Sequence, residues 1–246
     1  MALAEAEQEW RAVLALEPGR AEALYGLGWT LHLAGKPELA REAFQQCVDA
    51  NPADHLGYKG LGSVAMGEGN TALARRRFEE ALARAPGDPA VRHSLALLDL
   101  AQGNPTAAVT AFESLIQEDP DRAVFRQGLA EALLAAGRPA EALDAATAAA
   151  GASTDDRTRA LSELTRARAI LASLAGRVDP TDCAGTAPPV YTWLEEADRA
   201  LDQVEAAGVP VPEVLGTRRS VRQRRGWVDD TCPGLRAGMG RSFPGG

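Results

Sequence analysis

His32, His55 and His93 are the only histidines in 246 residues, and histidine is the side chain best suited to hold a metal or move a proton near neutral pH. They fall at unrelated places along the chain, so no shared metal is expected. Gly60, Gly62 and Ala65 satisfy the G-x-G-x-x-A spacing of a dinucleotide-binding turn. No strand-like run precedes them, and all three lie inside a helix pattern, so packing accounts for them better than phosphate binding. Glu79 and Glu80 form a carboxylate pair on an outward helix face, where solvation is the expected role. No Ser, His and Asp constellation or activated nucleophile is present, so neither catalysis nor a cofactor is expected. The three cysteines lack C-x-x-C spacing. Cys47 falls in a small-residue core column and reads as an inert buried thiol. Cys183 and Cys232 sit in similar surroundings, DPTDCAG and VDDTCPG, and would pair in an oxidising compartment but stay reduced in cytosol.

The elements that carry these residues are set by composition and period. Apolar residues make up 46% and charged residues 24%, enough for a core. No stretch approaches the roughly 18 to 20 apolar residues of a membrane span, and MALAEAEQEW lacks the basic-then-apolar order of a secretory signal. A cytoplasmic location is the expectation; a start truncated upstream of residue 1 could have removed a signal or anchor. The net charge of −8 is uneven: residues 211–246 carry seven Arg against Glu213, Asp229 and Asp230, +4, which leaves −12 on the remainder. The body should repel nucleic acid, and only the Arg-rich run RRSVRQRR, 218–225, could contact it or contact the acidic body.

Prolines recur at 18, 52, 86 and 120, each 34 residues apart. The same step links Gly35, Gly69, Gly103 and Gly137; Ala40, Ala74, Ala108 and Ala142; Trp10, Phe44, Phe78 and Phe112; Leu27, Leu61, Leu95 and Leu129; and Gly28, Gly62, Ala96 and Ala130. Leu24, Leu27 and Leu31 fall on one face of a first helix, with Gly28 where a neighbour must approach closely. Gly35 ends that helix, Pro37 suits the first turn of the next, and Ala40, Phe44 and Cys47 form the inward face of that second helix. Asp54, Asp88 and Asp121 are placed to cap the following helices.

This unit resembles the tetratricopeptide repeat, and AEALYGLGWTLHLAGKPELAREAFQQCVDANP, residues 21–52, matches it nearly position for position. The resemblance implies an all-α fold, a right-handed superhelical solenoid of antiparallel helix pairs over 1–176. It would comprise a half repeat at 3–18, full repeats at 21–52, 55–86, 89–120 and 123–154, and a capping helix at 156–175. The fourth repeat is degenerate, with Ala146 for Phe and Thr154 for Pro. The half repeat leaves Trp10, Val13 and Leu14 short of cover. Beyond it are expected a linker at 177–191, an acidic amphipathic helix at 192–207 opened by a Thr192–Glu195 capping box, and a Pro/Gly/Arg-rich disordered tail at 208–246.

The resemblance also implies a working surface, because tetratricopeptide proteins hold extended peptides or helices on the face lined by their first helices. The matching positions here are Tyr25, Trp29 and His32; Lys59, Ser63 and Met66; His93, Leu97 and Leu100; and Gln127 and Glu131. The Lys and Asn clamp that chaperone-binding members place on a peptide carboxylate is not expected: Lys59 fits, but Ser63 and Val124 stand where Asn and Lys belong. Tyr25, Trp29 and Met66 suit an apolar anchor, with Lys59 and Glu131 setting direction. The expected function is a non-enzymatic scaffold or adaptor for a protein or peptide partner. The alternative is a self-assembling component whose own helix at 192–206 fills the groove.

Overall fold

A computed structural model describes residues 2–175, 177 and 181–233. All regular structure among them is helical: α1 (Ala2–Leu16), α2 (Ala21–Leu33), α3 (Pro37–Ala50), α4 (Leu56–Gly67), α5 (Thr71–Leu82), α6 (Pro89–Ala101), α7 (Pro105–Glu118), α8 (Ala123–Ala135), α9 (Pro139–Ala152), α10 (Asp156–Ser173), α11 (Cys183–Ala206) and α12 (Val214–Thr231). The chain divides into two compact units, 1–107 and 108–246.

The repeated turn is the same in each case. Gly35, Gly69, Gly103 and Gly137 have φ of 71°, 74°, 78° and 72°, which a residue with a Cβ adopts only under strain. Around Gly35, the Gly35 N–H donates to His32 O and the Lys36 N–H to Leu31 O, at 3.0 and 2.9 Å. The same pair of bonds recurs at 69–70, 103–104 and 137–138, so each first helix ends in a Schellman turn that sends the chain straight into the next helix.

In unit 1, α2 packs on α3 and α4 on α5, with α3 bridging to α4, α5 to α6, and α2 lying beside α4. The aromatic column is the centre of each layer. Phe44 and Phe78 are fully buried. A Cβ placed on Gly28 would stand 2.6 Å from the Phe44 ring, and one on Gly60 2.2 Å from it. Phe44 is thus clamped between its own first helix and the next one, and Gly62 meets Phe78 in the same way at 2.6 Å. The G-x-G spacing at 60 and 62 serves two phenylalanine rings on opposite sides of α4. Trp10 of α1 takes the same place against Gly26 but stays half-buried.

In unit 2, α8 packs on α9, α9 on α10, α10 on α11 and α11 on α12; α10 also lies beside both α8 and α12. Several expectations change here. Segment 156–175 does not end the stack as a cap, because α10 is paired with α11 and followed by α12. Of the expected linker, 183–191 is already helix, opened by Asp182 accepting from the Gly185 N–H. Thr192 is mid-helix and its hydroxyl donates to Pro188 O, so it caps nothing. Over 214–231 the expected disorder gives way to α12, which buries Val214, Thr217, Val221 and Val228; residues 234–246 of the expected tail lie outside the described residues. Asp121 does not cap α8, whose N-cap is Arg122 without a side-chain bond.

Leu194, Ala197, Leu201 and Val204 of α11 are fully buried against Leu164, Ala167 and Ile170 of α10, its C-cap Leu174, and α12. The apolar stripe therefore has its partner inside unit 2, and the helix at 192–206 is not left over to fill a groove. Its acidic face has a partner too. Arg218 pairs with Asp202 at 2.8 Å and Glu205 at 3.2 Å, and Arg225 with Asp198 at 2.8 Å. The Arg-rich run thus contacts the acidic body of its own chain. A Cys183–Cys232 disulfide, Cα–Cα 5.6 Å, joins the start of α11 to the end of α12, beside a hydrogen bond from the Tyr191 hydroxyl to Asp229.

Candidate functional site

The small columns that admit Phe44 and Phe78 also hold α2 and α4 in fixed register within unit 1, so side chains at matching positions recur along one face. Tyr25, Trp29 and His32 are half-buried on α2 and touch edge to face, with ring centroids 6.1 Å apart for Tyr25–Trp29 and 5.4 Å for Trp29–His32. Both Tyr25 and Trp29 lean on Phe44, at 5.8 and 6.0 Å. Core packing therefore preorganises the cluster while part of each ring stays open.

On α4, the Lys59 ammonium lies 2.9 Å from an Asp88 carboxylate oxygen and 5.7 Å from the Tyr25 ring centroid. Asp88 also accepts from the Ala90 and Val91 N–H groups, and its other neighbour is His55, whose Nε2 is 3.1 Å away while Nδ1 is 3.0 Å from Asp54. Burial pushes the Asp88 carboxyl up, but Lys59 and the two N–H groups outweigh it and hold it below its ordinary value. Lys59, expected to orient a ligand by its charge, is already neutralised by Asp88. Nothing in the spacing of the sequence singled out Asp88 for this role, since a carboxylate before Pro89 reads as a helix cap, which it also is.

Ser63 is buried and its hydroxyl donates to Lys59 O, so it offers a ligand little. Met66 is half-buried against the core built on Phe78. His93, Leu97 and Leu100 are half-buried on α6. Gln127 and Glu131 belong to unit 2, where Gln127 is buried and donates to Glu131 at 2.6 Å. Burial pushes the Glu131 carboxyl up; Gln127 and Arg168 pull against it, and Glu213 reinforces it. The Cys47 thiol, pushed up to about 11 mainly by burial, donates to Ala21 O and stays unreactive. Among the described residues there is no group of three or more ligand-type side chains that could hold a metal ion, and no helix is long and apolar enough to cross a membrane.

Helix pairs repeating every 34 residues over 21–152, a Schellman turn in each full repeat and an aromatic clamped between small residues define an α-helical repeat protein built from helix pairs. Tetratricopeptide repeat models match residues 3–55, 59–121 and 99–166. The chain belongs to the tetratricopeptide repeat family. No protein of established function matches it significantly in sequence. It is similar in fold to a chain in the crystal structure of the APC/C hetero-tetramer Cut9–Hcn1, at 19% identity and TM-score 0.73 over 89% of this chain and 40% of that one. This chain thus spans less than half the length of that relative. A tetratricopeptide repeat protein of Parabacteroides merdae matches at 18% identity and TM-score 0.66 over 90% of this chain and 78% of that one. YrrB, described as a TPR protein with an unusual peptide-binding site, matches at 15% identity and TM-score 0.55, covering 87% of this chain and 100% of that one. Repeats of this family generally mediate protein–protein interaction.

Proposed function

We propose that this protein is a non-enzymatic adaptor that holds a peptide or helix of a partner on the first-helix face of unit 1. The observation that carries this reading is the Tyr25–Trp29–His32 cluster: three partly open rings in edge contact, two of them leaning on Phe44, beside a Lys59–Asp88 pair that leaves little net charge. Such a surface suits an apolar or aromatic anchor better than a carboxylate. Met66 and Leu97 extend the same chemistry along α4 and α6. Selection of a random peptide library on the intact chain tests it. Enriched peptides should carry an apolar anchor and bind about thirtyfold more weakly to a Trp29→Ala chain of unchanged helicity, the loss typical of a buried aromatic hot spot of about 2 kcal/mol. Equal affinity for the Trp29→Ala chain rules this face out.

The compartment we infer differs from the cytoplasmic expectation. A Cys183–Cys232 bond persists in an oxidising setting and not in a glutathione-buffered one. Thiol trapping in the native cell should find one reactive thiol per unfolded chain, that of Cys47; three would return the protein to the cytoplasm.

A further inference from the structure

Unit 2 carries a second open surface, independent of the ring cluster on α2. A cleft of about 590 Å³ lies between α8, α10 and α12, with Leu134, Arg168, Leu171, Glu213 and Ser220 on its walls. A neighbouring recess of about 350 Å³ is lined by Leu171, Ser220, Arg224 and Trp227. Leu171 and Ser220 border both, so the two form one trough. We propose that this trough is a binding site for an acidic peptide segment carrying an apolar side chain.

The charge pattern selects the occupant. Of the arginines that α12 presents, Arg218 and Arg225 are paired with α11 carboxylates. Arg224 in the recess and Arg168 in the cleft have no carboxylate at ion-pair distance among the described residues; Arg224 instead lies 5.5 Å from the Trp227 ring centroid. Trp227 keeps 40% of its surface exposed, unusual for so large an apolar side chain beside a half-buried leucine. Arg224, and Arg168, which also feels the buried Glu131 carboxylate without reaching ion-pair distance, flank an exposed tryptophan and a half-buried leucine and match a ligand with negative and apolar side chains in alternation. Glu213, at the α12 N-terminal end, directs the ligand's acidic residues towards Arg224. The chain's own residues 234–246 carry Arg236 and Arg241 and no acidic residue, so like charge argues against them as occupant. A nucleic acid needs a run of phosphate contacts. Within the trough there are two arginines and Glu213, on a chain of net charge −8.

The test is fluorescence anisotropy with a fluorescein-labelled peptide of about ten residues alternating Glu and Leu, titrated with the intact, oxidised chain. Expected is saturable, salt-sensitive binding, with the Lys-for-Glu peptide at least about tenfold weaker and an Arg168→Glu, Arg224→Glu chain about tenfold weaker than the parent. Both positions are partly or fully exposed, and because Arg168 acts on the buried Glu131 the double variant is first matched to the parent by circular dichroism; Trp227→Ala, at the surface and away from Glu131, supplies a second loss of binding that does not depend on it. A Tyr25→Ala, Trp29→Ala chain should bind the Glu peptide as the parent does. The proposal is overturned by absent binding, by equal binding of the Lys peptide, by indifference to the charge reversal, or by loss in the Tyr25→Ala, Trp29→Ala chain. It is also overturned, in favour of nucleic acid, if a single-stranded oligonucleotide displaces the peptide at lower concentration than unlabelled peptide does.

Discussion

Replacing Gly60 by alanine ought to help a helix, because alanine is favoured over glycine in helix interiors by about 1 kcal/mol. The structure reverses the sign. The added Cβ would sit 2.2 Å from Cδ1 of Phe44 and 2.4 Å from two further ring atoms. Ordinary carbon contacts lie near 3.5 to 4.0 Å, so the ring would have to retreat by about 1.5 Å. It has nowhere to go: Phe44 is 0% exposed and its other side already abuts Gly28, where a Cβ would lie 2.6 Å away. Overpacking of this kind costs about 1–3 kcal/mol, here at the upper end, leaving a net destabilisation of about 2 kcal/mol after the helix gain. Gly226 supplies the control: it is inside α12 with nothing within 4 Å of its added Cβ, and Gly226→Ala should stabilise by about 0.5–1 kcal/mol. The assay is urea unfolding followed by tryptophan emission: for Gly60→Ala with Trp193 and Trp227 replaced by Phe, so that Trp10 and Trp29 report unit 1, with Trp29 6.0 Å from Phe44, and for Gly226→Ala with Trp10 and Trp29 replaced instead, so that Trp193 and Trp227 report unit 2. A cycle with Phe44→Ala closes the argument. That change alone should cost about 3–5 kcal/mol, and in its presence Gly60→Ala should cost nothing. If Gly60→Ala proves neutral or stabilising in the parent chain, the clamp does not exist as described.

Reducing the Cys183–Cys232 bond, or substituting Cys232→Ser, should destabilise unit 2 by about 4 kcal/mol, the loop-closure value for a sequence separation of 49. Hydrogen exchange should show the loss in α12 and the first turns of α11; unchanged protection there counts against the bond as a lock. Asp88, held below its ordinary value, contributes stability that is complete above the ordinary carboxylate range and lost as pH falls through its folded value. The urea midpoint should therefore drop less between pH 6 and pH 3 in Asp88→Asn than in the parent. Glu131 has the opposite sign: its raised carboxyl disfavours the fold when ionised, so Glu131→Gln should unfold at higher urea than the parent at pH 7, with the difference closing towards pH 4.

The first four helix pairs were legible because their period is carried by residues with a steric duty, a left-handed glycine or a small side chain under an aromatic ring. One small column escaped notice: Gly26, Gly60 and Gly128, which receive the aromatic of the preceding pair, are less regular because Ser94 stands in the same register. The helix expected at 156–175 matches α10 to within two residues, but its role as an end cap and the two helices after it were read poorly, for three physical reasons. α10 has 18 residues where earlier first helices have 12 or 13, so the 34-residue step breaks. Pro188 and Pro189 signal a loop, yet they sit inside α11, where buried Ala187, Val190 and Tyr191 and the bond from Cys183 outweigh the lost backbone hydrogen bonds. In α12 the Gly and Arg content hides a stripe of Val214, Val221 and Val228, one every seven residues. On the candidate peptide face the aromatic positions could be named from the repeat, but the neutralisation of Lys59 could not, since Asp88 lies 29 residues away and meets it only in the folded layer.

The disulfide also sets how the molecule responds to tension. A protease or unfoldase that draws the chain in from the C-terminal side of Cys232 meets there a closed ring rather than a single strand. At about 3.3–3.6 Å per residue, the 49-residue segment between the two sulfurs hides roughly 170 Å of contour length that no pull can release while the bond stands. Force applied C-terminal to Cys232 is handed directly from Cys232 to Cys183 and on towards the end of α10, bypassing α11 and α12. Those two helices are thereby shielded from a load that must first dismantle whatever lies N-terminal to Cys183.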